Sequence, residues 1–121
     1  TIDAINFYKD WFGDNDERCI VAGDFNNSII WDKKGNDNNF NNINDHFVDL
    51  GFVSNYHKLK DEGFGKESFA TFFHTKKESK KYHIDYIYSK NLNPLELKVG
   101  SYTDWISYSD HSPLIAELIM S

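Results

Sequence analysis

The sequence predicts an α+β fold in which a mainly antiparallel sheet carries helices on one face. Three observations predict it. Two segments place apolar residues three and four positions apart, the period of an amphipathic helix. Four segments of the second half are apolar or rich in Phe, Tyr and Thr and read as strands. The run Cys19-Ile20-Val21-Ala22 is apolar without alternation, which reads as an interior strand covered on both faces.

Taken in order, Ile2, Ile5, Tyr8, Trp11 and Phe12 form the first helical stripe, and its start lies at or before the first residue. Because Thr1 already falls inside that pattern, the sequence reads as a piece of a longer chain. Gly13, Asp14, Asn15 and Asp16 make a polar stop before the strand at 19–22. Residues 32–45 are rich in Asn, Asp and Gly and read as a loop, which passes into a helix bearing Phe40, Ile43, Phe47 and Leu50 and closed by Gly51. Strands are then expected at 68–74, 82–88, 95–99 and 113–119, with 76–81 as a hairpin connection between the first two. The helices cover one sheet face. Neither 20–22 nor 84–87 alternates as a solvated surface would, so the other face is expected to pack on something outside this sequence.

Composition narrows the function. The 121 residues are 40% hydrophobic and 17% aromatic, with 7 Gly and 2 Pro, which excludes collagen-like, coiled-coil and fully disordered chains. Cys19 is the single cysteine, so neither an internal disulfide nor a multi-cysteine zinc site is available. No apolar run approaches the ~20 residues of a membrane span and no signal peptide opens the sequence. Localisation stays open, with the cytoplasm as the default. The net charge of −6, with Arg18 the sole arginine, argues against a module that coats nucleic acid through its phosphates. It leaves room for a phosphate-cleaving enzyme, since a bound divalent cation reverses the local field. Lys76, Lys77, Lys80 and Lys81 read as a solvated loop tip, with a phosphate-facing rim as the alternative.

Three stretches can carry chemistry. In Gly23-Asp24-Phe25-Asn26, residues two apart project together, so Asp24 and Asn26 share a side while Phe25 points to the core. A carboxylate there can orient or deprotonate a water, and the carboxamide can donate to a phosphate. An Asx turn at a strand end is the alternative. In Tyr82-His83-Ile84-Asp85-Tyr86-Ile87-Tyr88, Asp85 is an acid inside an apolar strand and needs a partner, in a catalytic or a structural ion pair. Ser109-Asp110-His111-Ser112-Pro113 is a polar turn that supplies one. A carboxylate behind an imidazole orients it and favours the cation that donates to a phosphate oxygen. Asp110, facing the other way, is free for a metal, and an ordinary loop pair is the alternative.

GDFN, then the TFF strand, then HIDYI, then SDHSPL resembles the endonuclease/exonuclease/phosphatase superfamily, from about Arg18 to the end. The resemblance implies a metal-dependent phosphoesterase or nuclease-like hydrolase using Mg²⁺ or Mn²⁺. Asp24 resembles the carboxylate that aligns the attacking water, and Asn26 its companion at the nucleophile and phosphate. His111 resembles the catalytic histidine, Asp85 the acid that orients it, and Asp110 the acid at the metal site. Thr71 matches a residue near the scissile phosphate, and His83 stands where many members carry Arg. The family fold is a four-layer α/β sandwich of about twice this length, so residues 1–121 resemble its C-terminal half. The N-terminal half, with its metal-binding Glu, is absent; Glu17, Glu62, Glu67, Glu78, Glu96 and Glu117 read as surface or edge residues.

The expected partners are a phosphate ester (nucleic acid, nucleotide or phospholipid head group) and the missing half of the same protein. The alternative is a catalytically incomplete fragment or binding module that self-associates as a homodimer through the uncovered face. Trp105, five residues before Asp110, is expected at the rim of the site as a substrate-binding residue; Trp31 and Tyr108 read as packing under loops.

Overall fold

The computed structural model describes residues 2–12 and 17–120. Helix α1 spans Ile2–Phe12, and the first-residue helix start, the polar stop at 13–16 and the side chains of Trp11 and Phe12 lie outside the described set. Ile5 is buried with Ile2 packed beside it, as the spacing predicts, whereas Tyr8 of the same stripe is 40% exposed. Strand β1 (Cys19–Asp24) follows, then one 3₁₀ turn at Ile29–Trp31 and helix α2 (Phe40–Asp49). The expected loop at 32–45 is therefore loop only as far as Asn39. Phe40, Ile43 and Phe47 of α2 are buried and Gly51 takes the positive φ of +91° that ends it.

Strand β2 (Val53–Ser54) leads into helix α3 (Asn55–Lys60). Of the strand expected at 68–74 only β3 (Phe72–Phe73) is extended and paired; its partner is β4 (Lys81–Tyr82), with the lysine-bearing hairpin between them. Those lysines are exposed, the solvated reading. Strand β5 (Asp85–Lys90), β6 (Asn93–Val99), helix α4 (Tyr102–Trp105) and β7 (Leu114–Ile119) complete the chain.

The α+β class holds, and every pairing is antiparallel. Two expectations change. Among the described residues the strands form three hydrogen-bonded groups, β1-β5-β2, β3-β4 and β6-β7, in place of one sheet. The interior strand of the first is β5, and β1 lies at its edge. Ile20 of β1 is 52% exposed, so the strand is covered on one face: its apolar run reflects a half-buried side at Cys19 and Val21 and a bare side at Ile20 and Ala22. The covered face meets α1 and α2. There Tyr86 and Tyr88 of β5 stack on Phe40 and Phe47, with ring centres 4.6 and 4.4 Å apart. Phe25 packs on the same cluster. This aromatic layer fixes the register of β5, because a slip of one residue would bury Asp85 and Ile87 in place of the tyrosines.

Candidate functional site

The β1–β5 register sets Asp24 directly opposite Asp85, on the bare face of the sheet. Two carboxylates abreast repel unless something stands between them. His111 does: its Nδ1 donates to Asp85 Oδ2 at 2.9 Å, and its Nε2 lies 3.7 Å from Asp24 Oδ2. The three meet although 87 positions separate the first from the last.

Backbone ladders bring them there. Phe25 N–H donates to the Ile84 carbonyl, extending the β1–β5 pairing past Asp24. On the other side, the SDHS turn is tied along residues 71–73. Phe73 N–H donates to the Asp110 carbonyl, Ser112 N–H to the Thr71 carbonyl, and Phe72 bridges His111. The Ser109 hydroxyl accepts His111 N–H and shapes the turn. The TFF segment thus joins the SDHS turn to the start of β5.

Thr71, expected near a phosphate, has no exposed surface, and its hydroxyl is turned to the backbone at the start of β5. Its hydroxyl oxygen accepts the N–H groups of Ile84 and Asp85, at 3.0 and 3.2 Å. Burial raises the Asp85 carboxyl above its ordinary value, and hydrogen bonds from Thr71 and His111 act against that rise. Asn26 is exposed with φ of +49°, and its N–H donates to Asp24 Oδ1 at 2.7 Å. The Asx turn expected as an alternative is therefore present, and it holds one oxygen of Asp24 while the other faces His111.

These side chains border a hollow of about 590 Å³ lined by Asp24, Asp85, Trp105, His111, Pro113 and Leu114 among others. Trp105 is among the residues that line it. Gly100 makes room: a Cβ there would come within 2.6 Å of both Pro113 and the Trp105 ring. Asp110 is near in sequence yet does not join the lining or the Asp24–Asp85–His111 group. Trp31 packs on Tyr82, and Tyr108 is 81% exposed, so the latter packs under nothing. The chemistry of the donors suits a hard divalent cation, since carboxylate oxygens are the ligands Mg²⁺ and Mn²⁺ take.

The family sequence model for endonuclease/exonuclease/phosphatase proteins matches residues 3–111. The chain belongs to that family. No curated protein and no solved structure matches the chain significantly. The endonuclease/exonuclease/phosphatase match begins inside α1, upstream of the GDFN motif, and ends at His111. Its members are hydrolases that act on phosphate esters and generally use divalent metals, and membership supports a hydrolase in general for this protein.

Sequence reasoning missed a second group. Glu62 and Glu67, expected at the surface, are both engaged. The Glu67 side chain is 6% exposed and pairs with His57 at 2.7 Å; Glu62 accepts from the Tyr56 and Ser68 hydroxyls. His83, read as a departure from a family arginine, is buried, which lowers its pKa. The sequence offers no separate signal for this group, because His57, Glu67 and His83 stand among many other charged residues of 57–83.

Proposed function

We propose that the whole protein hydrolyses a phosphoester by one in-line attack of water, and that this chain supplies the C-terminal half of the site. The observation that carries the reading is the Asp85–His111 bond of 2.9 Å with His111 Nε2 turned toward Asp24 at the edge of the hollow. In this reading Asp85 accepts the Nδ1 proton and fixes the ring, so that Nε2 donates to a non-bridging phosphate oxygen. Asp24 aligns the water with its unanchored oxygen. As the water oxygen forms the new bond to phosphorus, its proton passes to Asp24, the bond to the leaving oxygen breaks, and that oxygen is protonated by solvent. Asn26, exposed beside Asp24, donates its carboxamide to the equatorial oxygens. Asp110, which stands outside the lining of the hollow, would reach Mg²⁺ or Mn²⁺ through a bridging water, and the cation would neutralise phosphate charge.

The N-terminal half of the sandwich would cover the bare face of β1 and complete the metal site. The 52% exposure of Ile20 on the side that carries Asp24 supports it. A twofold dimer of this chain is the second occupant that the same exposure favours, and sedimentation at rising concentration separates the two: a monomer throughout removes the dimer. The acidic net charge favours a small phosphodiester, a nucleotide or a phospholipid head group over long duplex DNA. The test is a panel of abasic DNA, plasmid DNA, sphingomyelin and inositol phosphates, with Mg²⁺ or Mn²⁺, on the full-length protein. Turnover is expected to fall about 10²- to 10⁴-fold in Asp24→Ala and in His111→Ala. Unchanged turnover in both variants refutes the assigned roles.

A further inference from the structure

Outside the hollow, His57, Glu67 and His83 hold ligand atoms within 4.8 Å of one another. The side chains of His57 and Glu67 are 7% and 6% exposed, and His83 is 5% exposed. An ion pair between His57 and Glu67 accounts for two of the three. It does not account for His83. The His83 Nδ1 lies 2.9 Å from the Phe69 carbonyl, which only accepts, so Nδ1 carries the hydrogen and Nε2 offers a lone pair. That Nε2 is buried and has no hydrogen-bond partner among the described residues. Such an orphan costs about 1–3 kcal/mol unless something fills its direction.

We infer that His57, Glu67 and His83 form a binding site for a divalent ion of borderline softness, Zn²⁺ in class. Two imidazoles and a carboxylate are a zinc donor set, in contrast to the oxygen-rich hollow. The outer contacts match what metal-bound imidazoles use. The Phe69 carbonyl orients His83, and the Ser54 hydroxyl, 2.7 Å from His57 Nδ1, orients His57. Phe64 stacks on the His57 ring at 3.6 Å and Tyr56 lies against His83 at 4.5 Å, an apolar shell on both ligands. A cavity of about 290 Å³ lined by Glu67 and His83 provides the entry path and a place for a water as fourth ligand. Binding draws the donors to about 2.0–2.2 Å from the ion, a contraction of side chains already converging. Ser54, His57 and Glu67 also stand in the order of a nucleophilic relay, but Ser54 is 5% exposed and no ester reaches its hydroxyl.

The experiment titrates the metal-stripped chain with Zn²⁺, and with Co²⁺ as a visible reporter, in excess Mg²⁺. One tight ion per chain is expected in the unsubstituted chain and equally in His111→Ala, which removes the imidazole of the hollow. His83→Gln and Glu67→Gln are each expected to weaken binding at least about 100-fold, the upper range for loss of an outer-shell partner. Imidazole ¹⁵N spectra of the unsubstituted chain provide a readout independent of variant folding, with the Nε2 signals of His57 and His83 moving on Zn²⁺ addition. Zn²⁺ that fails to bind, binds only where His111 is intact, or leaves the His83 signal unmoved overturns the site.

Discussion

At the residue scale, Thr71 decides how firmly the Asp85–His111 pair is held. Its hydroxyl oxygen accepts two N–H groups, the buried one of Ile84 and the partly buried one of Asp85. Thr71→Val keeps the shape and removes the acceptor, so both donors lose their partner. The expected loss is about 1–3 kcal/mol of stability, read from denaturant unfolding. Under the proposed function, turnover falls as Asp85 loses its anchor while KM changes little, and Thr71→Ser restores both. A Val variant as stable and active as the parent would show that the hydroxyl positions nothing. The same scale shows what the sequence could reveal about the site. Asp85 and His111 were legible because a carboxylate in an apolar strand demands a partner and the motifs offered few, while Asp24 stood out through the resemblance carried by GDFN. The inward role of Thr71 was not legible, since a threonine in a strand faces a phosphate or the core with equal local propensity. His57, Glu67 and His83 were hidden for another reason: they sit in a loop-rich region with no periodicity to say which side is inside.

At the element scale, α2 shows how a helix is started from a distance. Asn39 at its N-cap makes no side-chain cap bond to the helix. Asp32 performs that task instead: one carboxylate oxygen accepts Phe40 N–H at 2.6 Å and the other Asn41 N–H at 3.0 Å. Asn39 closes the intervening loop by bonding both the N–H and the carbonyl of Lys33. A negative group at the first turn also suits the helix dipole. Asp32→Ala is therefore expected to cost about 0.5–2 kcal/mol, the range for a lost cap, with a matching fall in melting temperature. An Asp32→Ala chain that melts with the parent would remove Asp32 from this role. The helix itself was legible from Phe40, Ile43 and Phe47, whose spacing survives an Asn-rich surround. Its remote cap was not, because acceptor and donor lie eight positions apart across an Asn-rich loop. Short elements were lost similarly: α3 and β2 have too few residues for a period to emerge, and β1 was misjudged as interior because its bare side is as apolar as its covered one.

At the scale of the whole molecule, the acid limb of stability has an identifiable source. Glu62 accepts from the Ser68 hydroxyl, the Tyr56 hydroxyl and Ser68 N–H, and joins the end of α3 to the segment leading into β3. The bonds from Ser68 and Tyr56 hold its carboxyl at about 2, against an ordinary 4.5. Between these values the unfolded chain binds a proton that the folded chain does not, so folding stability rises with pH across the interval. The contribution is complete above pH 4.5 and disappears as the pH falls toward 2. Glu62→Gln keeps the size and removes the titration. Its stability is expected to vary less steeply than that of the parent over the same interval, with the largest difference between the two chains at neutral pH. Urea unfolding at a series of pH values measures both slopes. Parallel curves for parent and variant would mean that the Glu62 bonds open in solution, and the acid sensitivity of the fold would have to come from another carboxylate.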